Sequence, residues 1–113
     1  MALTADVRRG ELYWARLPPP VGRRPVLIVS RSATIAVRTQ ITVAPVTRTI
    51  RGMRSEIALG RSHGLRAASV ANCDSLQTIP KAALDGRAIG RLLVSELVDL
   101  DRALRYALGV TTG

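Results

Sequence analysis

The 113-residue chain has no phenylalanine, and it holds one tryptophan, one cysteine, one histidine and one lysine. Each shortage closes off a class of chemistry. The lone Cys73 allows neither an internal disulfide nor a thiolate metal cluster, and a reducing cytoplasm suits it. The lone His63 cannot supply an acid–base pair of imidazoles within one chain, and between Ser62 and Gly64 it reads as a solvated loop residue. Two tyrosines and one tryptophan are too few for the base-stacking platforms of a single-strand binding module. The longest aliphatic run, Val26–Val29, falls far short of the roughly 20 residues a membrane span needs, so no membrane partner is expected. The opening residues lack a basic stretch followed by an apolar one, and no secretory leader is expected. No carboxylates are spaced for a metal site, and no zinc pattern or glycine-rich phosphate loop appears. Neither metal nor cofactor is expected.

What is abundant is arginine. There are sixteen, and they are unevenly placed. Residues 1–72 carry twelve arginines against three acids, a net of +9, whereas residues 73–113 balance five bases with five acids. The planar guanidinium fork matches phosphate oxygens, so a one-sided arginine surplus points to a polyanion such as nucleic acid. The plain alternative is a solvated surface with an arginine-rich residue usage.

Along the chain the patterning is mostly that of short strands. Glu11–Arg16 alternates polar and apolar residues, and three prolines then force Leu17–Gly22 into a loop. Pro25–Ser30 is continuously apolar and β-branched, as in a strand covered on both faces. Gln40–Thr47 reads as a third strand, with Pro45 implying an edge or a bulge near its end. A polar stretch to Arg54 leads to strand Ser55–Leu59, a turn-rich Gly60–Gly64, strand Ser69–Leu76 closed by Thr78-Ile79-Pro80, and a last short strand over Arg87–Leu92. A helix follows, N-capped by Ser95, with Glu96 and Asp99 in its first turn. Its apolar stripe runs through Leu97, Leu100, Leu104 and Ala107/Leu108, and Gly109 stops it. With 47% apolar residues, this predicts one domain over 1–113, a β-barrel-like α+β fold that is mainly β. Cys73, inside an apolar strand, reads as core.

Arg23-Arg24-Pro25 stands out because it opens a buried strand just after the proline loop. An arginine head held there on a rigid element can neutralise charge on a phosphate in a transition state. The competing reading is an arginine that only solvates a strand end.

Several blocks occur in a telling order. They are Arg9-Gly10-Glu11-Leu12-Tyr13-Trp14-Ala15, Gly22-Arg23-Arg24-Pro25-Val26-Leu27-Ile28-Val29 and Val43-Ala44-Pro45-Val46-Thr47. Gly64-Leu65 to Ser69-Val70 and Cys73-Asp74-Ser75-Leu76-Gln77-Thr78-Ile79 follow. In this order, over residues 8–92, the chain resembles the MazF/PemK toxins. The resemblance implies an SH3-like barrel with a C-terminal helix, a homodimer with single-stranded RNA in a groove at its interface, and control by a cognate antitoxin. It implies a metal-independent, sequence-selective endoribonuclease leaving 2′,3′-cyclic phosphate and 5′-hydroxyl ends. It makes Arg24 the catalytic arginine and Thr47 its partner, both able to donate to the non-bridging oxygens of the phosphate. Guanidinium deprotonation is very costly, so Asp74 is kept as a candidate base, with the acid unassigned. Arg23, Arg54, Asn72, Gln77 and Thr78 are the candidate RNA contacts. The chain departs from the family in its short Pro18–Gly22 loop, in Asn72 where some members have arginine, and in Gln77 where many read arginine before threonine. A CcdB-like gyrase-binding toxin on the same fold is the alternative, although the aromatic near that group's C-terminus is missing here. A plain nucleic-acid-binding barrel is a third reading.

Overall fold

In a computed structural model the described residues are 6–110, and seven antiparallel strands follow one another from Glu11 to Arg91 before the chain ends in a helix. They are β1 (Glu11–Arg16), β2 (Arg23–Ile28), β3 (Gln40–Thr47), β4 (Glu56–Leu59), β5 (Ser69–Asn72), β6 (Gln77–Pro80) and β7 (Leu84–Arg91). Two helices, α1 (Ser32–Val37) and α2 (Val94–Leu108), complete the described chain. The strand order is β4-β5-β3-β2-β1-β7, with β6 lying beside β3 as well. The result is a curled, half-barrel sheet with a helix at its end.

The Val26–Val29 run is buried throughout because the sheet separates two cores. Leu27 and Val29 join Leu12, Ala44, Val46, Leu100 and Ala103 under α2. Val26 and Ile28 join Tyr13, Ala15, Ile41, Val43 and Ile79, with Ile35 of α1, on the other face. Alternation along one strand thus feeds both, as a pleated strand must. No helix among the described residues is long and apolar enough to cross a membrane.

Several expectations need correcting. β3 is central, not an edge. Its Pro45 faces Val26 of β2, and on the opposite side β6 pairs with residues 40–43 and β5 with 46–47. The residue without an N–H therefore falls where β3 changes partners and no ladder continues, which is how a proline is tolerated mid-sheet.

The strand expected over Ser69–Leu76 ends at Asn72. There the Asn72 side chain accepts the Asp74 N–H at 2.9 Å and turns the chain through Cys73–Ser75, a local bond that competes with the ladder. Gln77–Pro80 is accordingly a separate strand. β7 starts at Leu84, earlier than Arg87, with an irregular register against β1 between Leu12 and Trp14. Helix α2 begins at Val94, and its first turn is closed by Glu96, whose carboxylate accepts the Leu93 N–H at 2.7 Å. Ala103 is buried with Leu100, while Leu108 at the end of the expected stripe is exposed. Gly109 closes the helix with φ +70, as its position implied. Cys73 is core, its thiol pushed up to about 11 mainly by burial and then by neighbouring Asp74.

Candidate active site

β2 and β3 run antiparallel with Ile28, Leu27 and Val26 opposite Val43, Ala44 and Pro45. Continuing that register two steps sets Arg24 opposite Thr47. Strand alternation keeps both on the face that carries Val26 and Val43 further in. The sheet thus brings the end of β3 beside the start of β2, and both residues reach the rim there.

They line one shallow depression of about 350 Å³ together with Trp14, Arg23, Pro25 and Arg48. This opens into a deeper cleft of about 460 Å³, walled by the Gly64–Ala67 segment and floored by Trp14, Pro25 and Val46. Four arginines, Arg23, Arg24, Arg48 and Arg66, border the joined space, and no acid lines it.

The arginines differ in what holds them. Arg23 lies over the Trp14 ring, 4.4 Å from its centroid, and pairs with Asp85 at 3.2 Å. Arg16 shares the same carboxylate. Arg23 is therefore tied down by a cation–π contact and an ion pair. Arg24, half-buried at the strand start, forms no ion pair among the described residues, and neither do Arg48 and Arg66. Their charge is left for an outside anion. The Thr47 hydroxyl oxygen accepts the Thr49 N–H at 3.1 Å. That bond fixes the oxygen while leaving its proton free to donate.

The remaining sequence-predicted residues lie elsewhere. Gln77 and Thr78 pair with Val43 and Thr42, four and five residues before Thr47, or about 13–17 Å along the strand. The Thr78 and Thr42 hydroxyls are 3.3 Å apart. Asp74 accepts a short hydrogen bond from buried Ser55, and Asn72 is engaged with the Asp74 N–H. Arg54 sits over Tyr106 of α2, 5.0 Å from the ring centroid, in a groove shared with Arg102 and Arg105. Arg23, Arg24 and Thr47 are thus brought together within one chain, and Asp74, Asn72, Gln77, Thr78 and Arg54 are not.

Reading the sequence did not single out Trp14, Arg48 or Arg66 as cleft residues. The signal available was position. Arg48 directly follows Thr47, and Trp14 directly opposes Pro25 in the β1–β2 ladder.

His63 also differs from its expected solvated state. It is 6% exposed. Its Nδ1 accepts the Gly60 N–H at 3.1 Å, so Nε2 carries the proton and donates to Glu96 at 2.9 Å. Glu96 is held below the usual carboxylate range, first by the Leu93 N–H and then by His63, against the opposing effect of its burial. The turn that carries His63 is pressed on β7. A Cβ on Gly64 would come within 1.9 Å of the Ile89 carbonyl oxygen, and one on Gly90 within 2.0 Å of the His63 carbonyl oxygen.

An antiparallel half-barrel with a terminal helix and an arginine-rimmed cleft suits a polyanionic partner, and the fold is that of a known class of toxins. Residues 8–108 match the family described as PemK-like, MazF-like toxin of type II toxin-antitoxin system, and the chain belongs to it. Endoribonuclease MazF3 of Mycobacterium tuberculosis is 44% identical over 86 residues, covering 76% of this chain and 79% of that one. Among solved structures, Mycobacterium tuberculosis toxin MazF-mt6 superposes with a TM-score of 0.82 at 39% identity, covering 89% of this chain and 98% of the other. A mycobacterial endoribonuclease in complex with its cognate antitoxin superposes at 0.81 with 28% identity, over 95% and 99% of the two chains.

Proposed function

We propose that this chain, an RNA-cleaving toxin neutralised by an antitoxin, cuts single-stranded RNA at the cleft where Arg24 meets Thr47. Support comes from its family and from relatives named as endoribonucleases, one of them solved with its antitoxin. The observation that carries the location is one depression lined both by a guanidinium with no counter-ion among the described residues and by a hydroxyl whose proton is left to donate.

The reaction is attack by a ribose 2′-oxygen on the adjacent phosphorus, with loss of the 5′-oxygen. The products are a 2′,3′-cyclic phosphate and a 5′-hydroxyl, and the net proton passes from the 2′- to the 5′-oxygen. As the phosphate becomes five-coordinate, negative charge builds on its non-bridging oxygens. Arg24 and Thr47 donate to them from fixed positions, so little reorganisation is needed. The nucleophile belongs to the substrate, so the site needs no activated water and no metal. The toxin works as a homodimer in the cytoplasm, with the RNA groove continued across the interface.

The test is a labelled RNA in which only the ribose 5′ to the cleaved bond is replaced by deoxyribose, assayed in excess chelator. Cleavage should be abolished while binding stays nearly intact, because affinity rests largely on arginine–phosphate contacts. The substituted strand should inhibit competitively, and less so as salt rises. Cutting of that strand at the same bond would show that water is the nucleophile.

A further inference from the structure

The buried His63 is not part of the cleft, yet it sits directly before the segment that walls it. Gly64, Leu65, Arg66 and Ala67 form that wall. The wall has few ties of its own. Leu65 donates its N–H to the Gly60 carbonyl at 3.3 Å and packs partly against the α2-side core. Arg66 is exposed and has no ion pair among the described residues. What fixes the segment sideways is the preceding turn, wedged on Ile89–Gly90 and joined to α2 through the His63–Glu96 hydrogen bond.

Glu96 is fixed in turn by the Leu93 N–H at 2.7 Å. The chain of contacts therefore runs from the first turn of a rigid helix, through one carboxylate and one imidazole, to an arginine at the cleft. The buried imidazole has essentially one geometry, because without the partly exposed Glu96 its Nε2–H would be an unsatisfied buried donor. Solvation of a loop would not require the imidazole to be buried or both its nitrogens to be engaged.

We propose that His63 is a positioning residue for RNA binding: through Glu96 it holds the Gly64–Arg66 wall where Arg66 meets a phosphate next to the one being cleaved. This rests on the cleft being the RNA site. Arg66 contacts a phosphodiester that does not react, so it binds ground state and transition state alike, and its loss appears in KM.

The experiment is steady-state cleavage of a short labelled RNA by His63→Ala, Glu96→Ala, Glu96→Gln, Arg66→Ala and the His63→Ala/Arg66→Ala double variant, each checked for folding by thermal unfolding. His63→Ala and Glu96→Ala should raise KM on the order of tenfold, the loss of one charge-assisted contact, with kcat unchanged. Glu96→Gln keeps an oxygen for both donors and should return KM to the wild-type value. In the Arg66→Ala background the His63 substitution should raise KM no further, since both remove the same contact. If His63→Ala does not fold, the comparison of Glu96→Ala with Glu96→Gln carries the test. Unchanged KM in the folded variants, a fall confined to kcat, or His63 and Arg66 effects that multiply would overturn the proposal. Arg24→Ala separates the two readings. Full activity in that variant defeats the cleft as the RNA site, whereas an inactive Arg24→Ala beside an unaffected His63→Ala defeats only the positioning role.

Discussion

The polar side chains around β3 are in two opposite states. At the Thr47 end, Arg24, Arg48 and Arg66 have no carboxylate partner among the described residues, and the Thr47 proton is free. Beside the middle of β3, the Thr78 and Thr42 hydroxyls are within hydrogen-bonding distance, and in the turn that follows β5 Asn72 accepts the Asp74 N–H and Asp74 accepts from Ser55. What a polar side chain can do for a ligand depends less on its type than on what already satisfies it. Asp74 is engaged, and Arg24 is available.

The sharpest way to break this contrast is to remove one group of each kind. Arg24→Ala should lower kcat for RNA cleavage by about 10²-fold or more, and Thr47→Ala by less, because a neutral donor is weaker. Asp74→Asn should leave kcat close to wild type. A rate measurement in which Asp74→Asn is as damaging as Arg24→Ala would move the chemistry to the turn after β5.

A second comparison concerns two glycines with positive φ, one of them in the cleft wall. Gly64 combines φ +82 with a carbonyl 1.9 Å from any Cβ, whereas Gly52 has φ +69 in open space. Gly64→Ala should cost about 3 kcal/mol by denaturant unfolding and Gly52→Ala only about 1 kcal/mol, since backbone conformation alone is disturbed there. Equal costs would mean that the turn can lift off β7 freely.

The smallest effect is a slope with pH. Burial, and then Glu11, pushes the Tyr13 hydroxyl from 10.0 to about 12, and burial with Asp74 pushes Cys73 from 9.0 to about 11. Both folded values are raised, so the folded state binds more protons and stability falls as pH climbs. That contribution should be complete below pH 9 and lost progressively between 9 and 12, readable as a falling melting temperature. Tyr13→Leu should flatten the upper part of that slope. A melting temperature that is level up to pH 12 would contradict the burial of both groups.

Much of the sheet was legible because local patterning reports strands directly: the alternating Glu11–Arg16 and the β-branched Gln40–Thr47 are observed with the ends read from sequence. Failures occurred where a side chain, not a pattern, sets the break. Asn72 ends β5 by bonding its own backbone, and Glu96 starts α2 by reaching back to Leu93. Helix α1 is six residues long and buries only Ile35, too short to leave a stripe. Its anchor is Lys81, which donates to the Ile35 carbonyl at 2.7 Å from across the fold.

At the cleft, Arg24 and Thr47 share a ladder register that two strands encode locally. Arg66 arrives by way of His63, Gly90 and Glu96, contacts between segments up to 33 residues apart. No window of sequence contains that arrangement.

The β1–β7 ladder carries a further consequence, one for synthesis. β1 is among the first strands made and contributes Trp14 to the cleft, yet its second neighbour lies at Leu84–Arg91. Leu12 meets Leu100 and Ala103 in the same core only once α2 has been made. Such non-local pairing is slow, because the chain must close a long loop before the contacts repay it. A growing chain that has not yet reached α2 can neither seal the core beneath the cleft nor hold Glu96 against His63. A fold built this way stays incomplete during synthesis and closes its core only when nearly all of its described length is available.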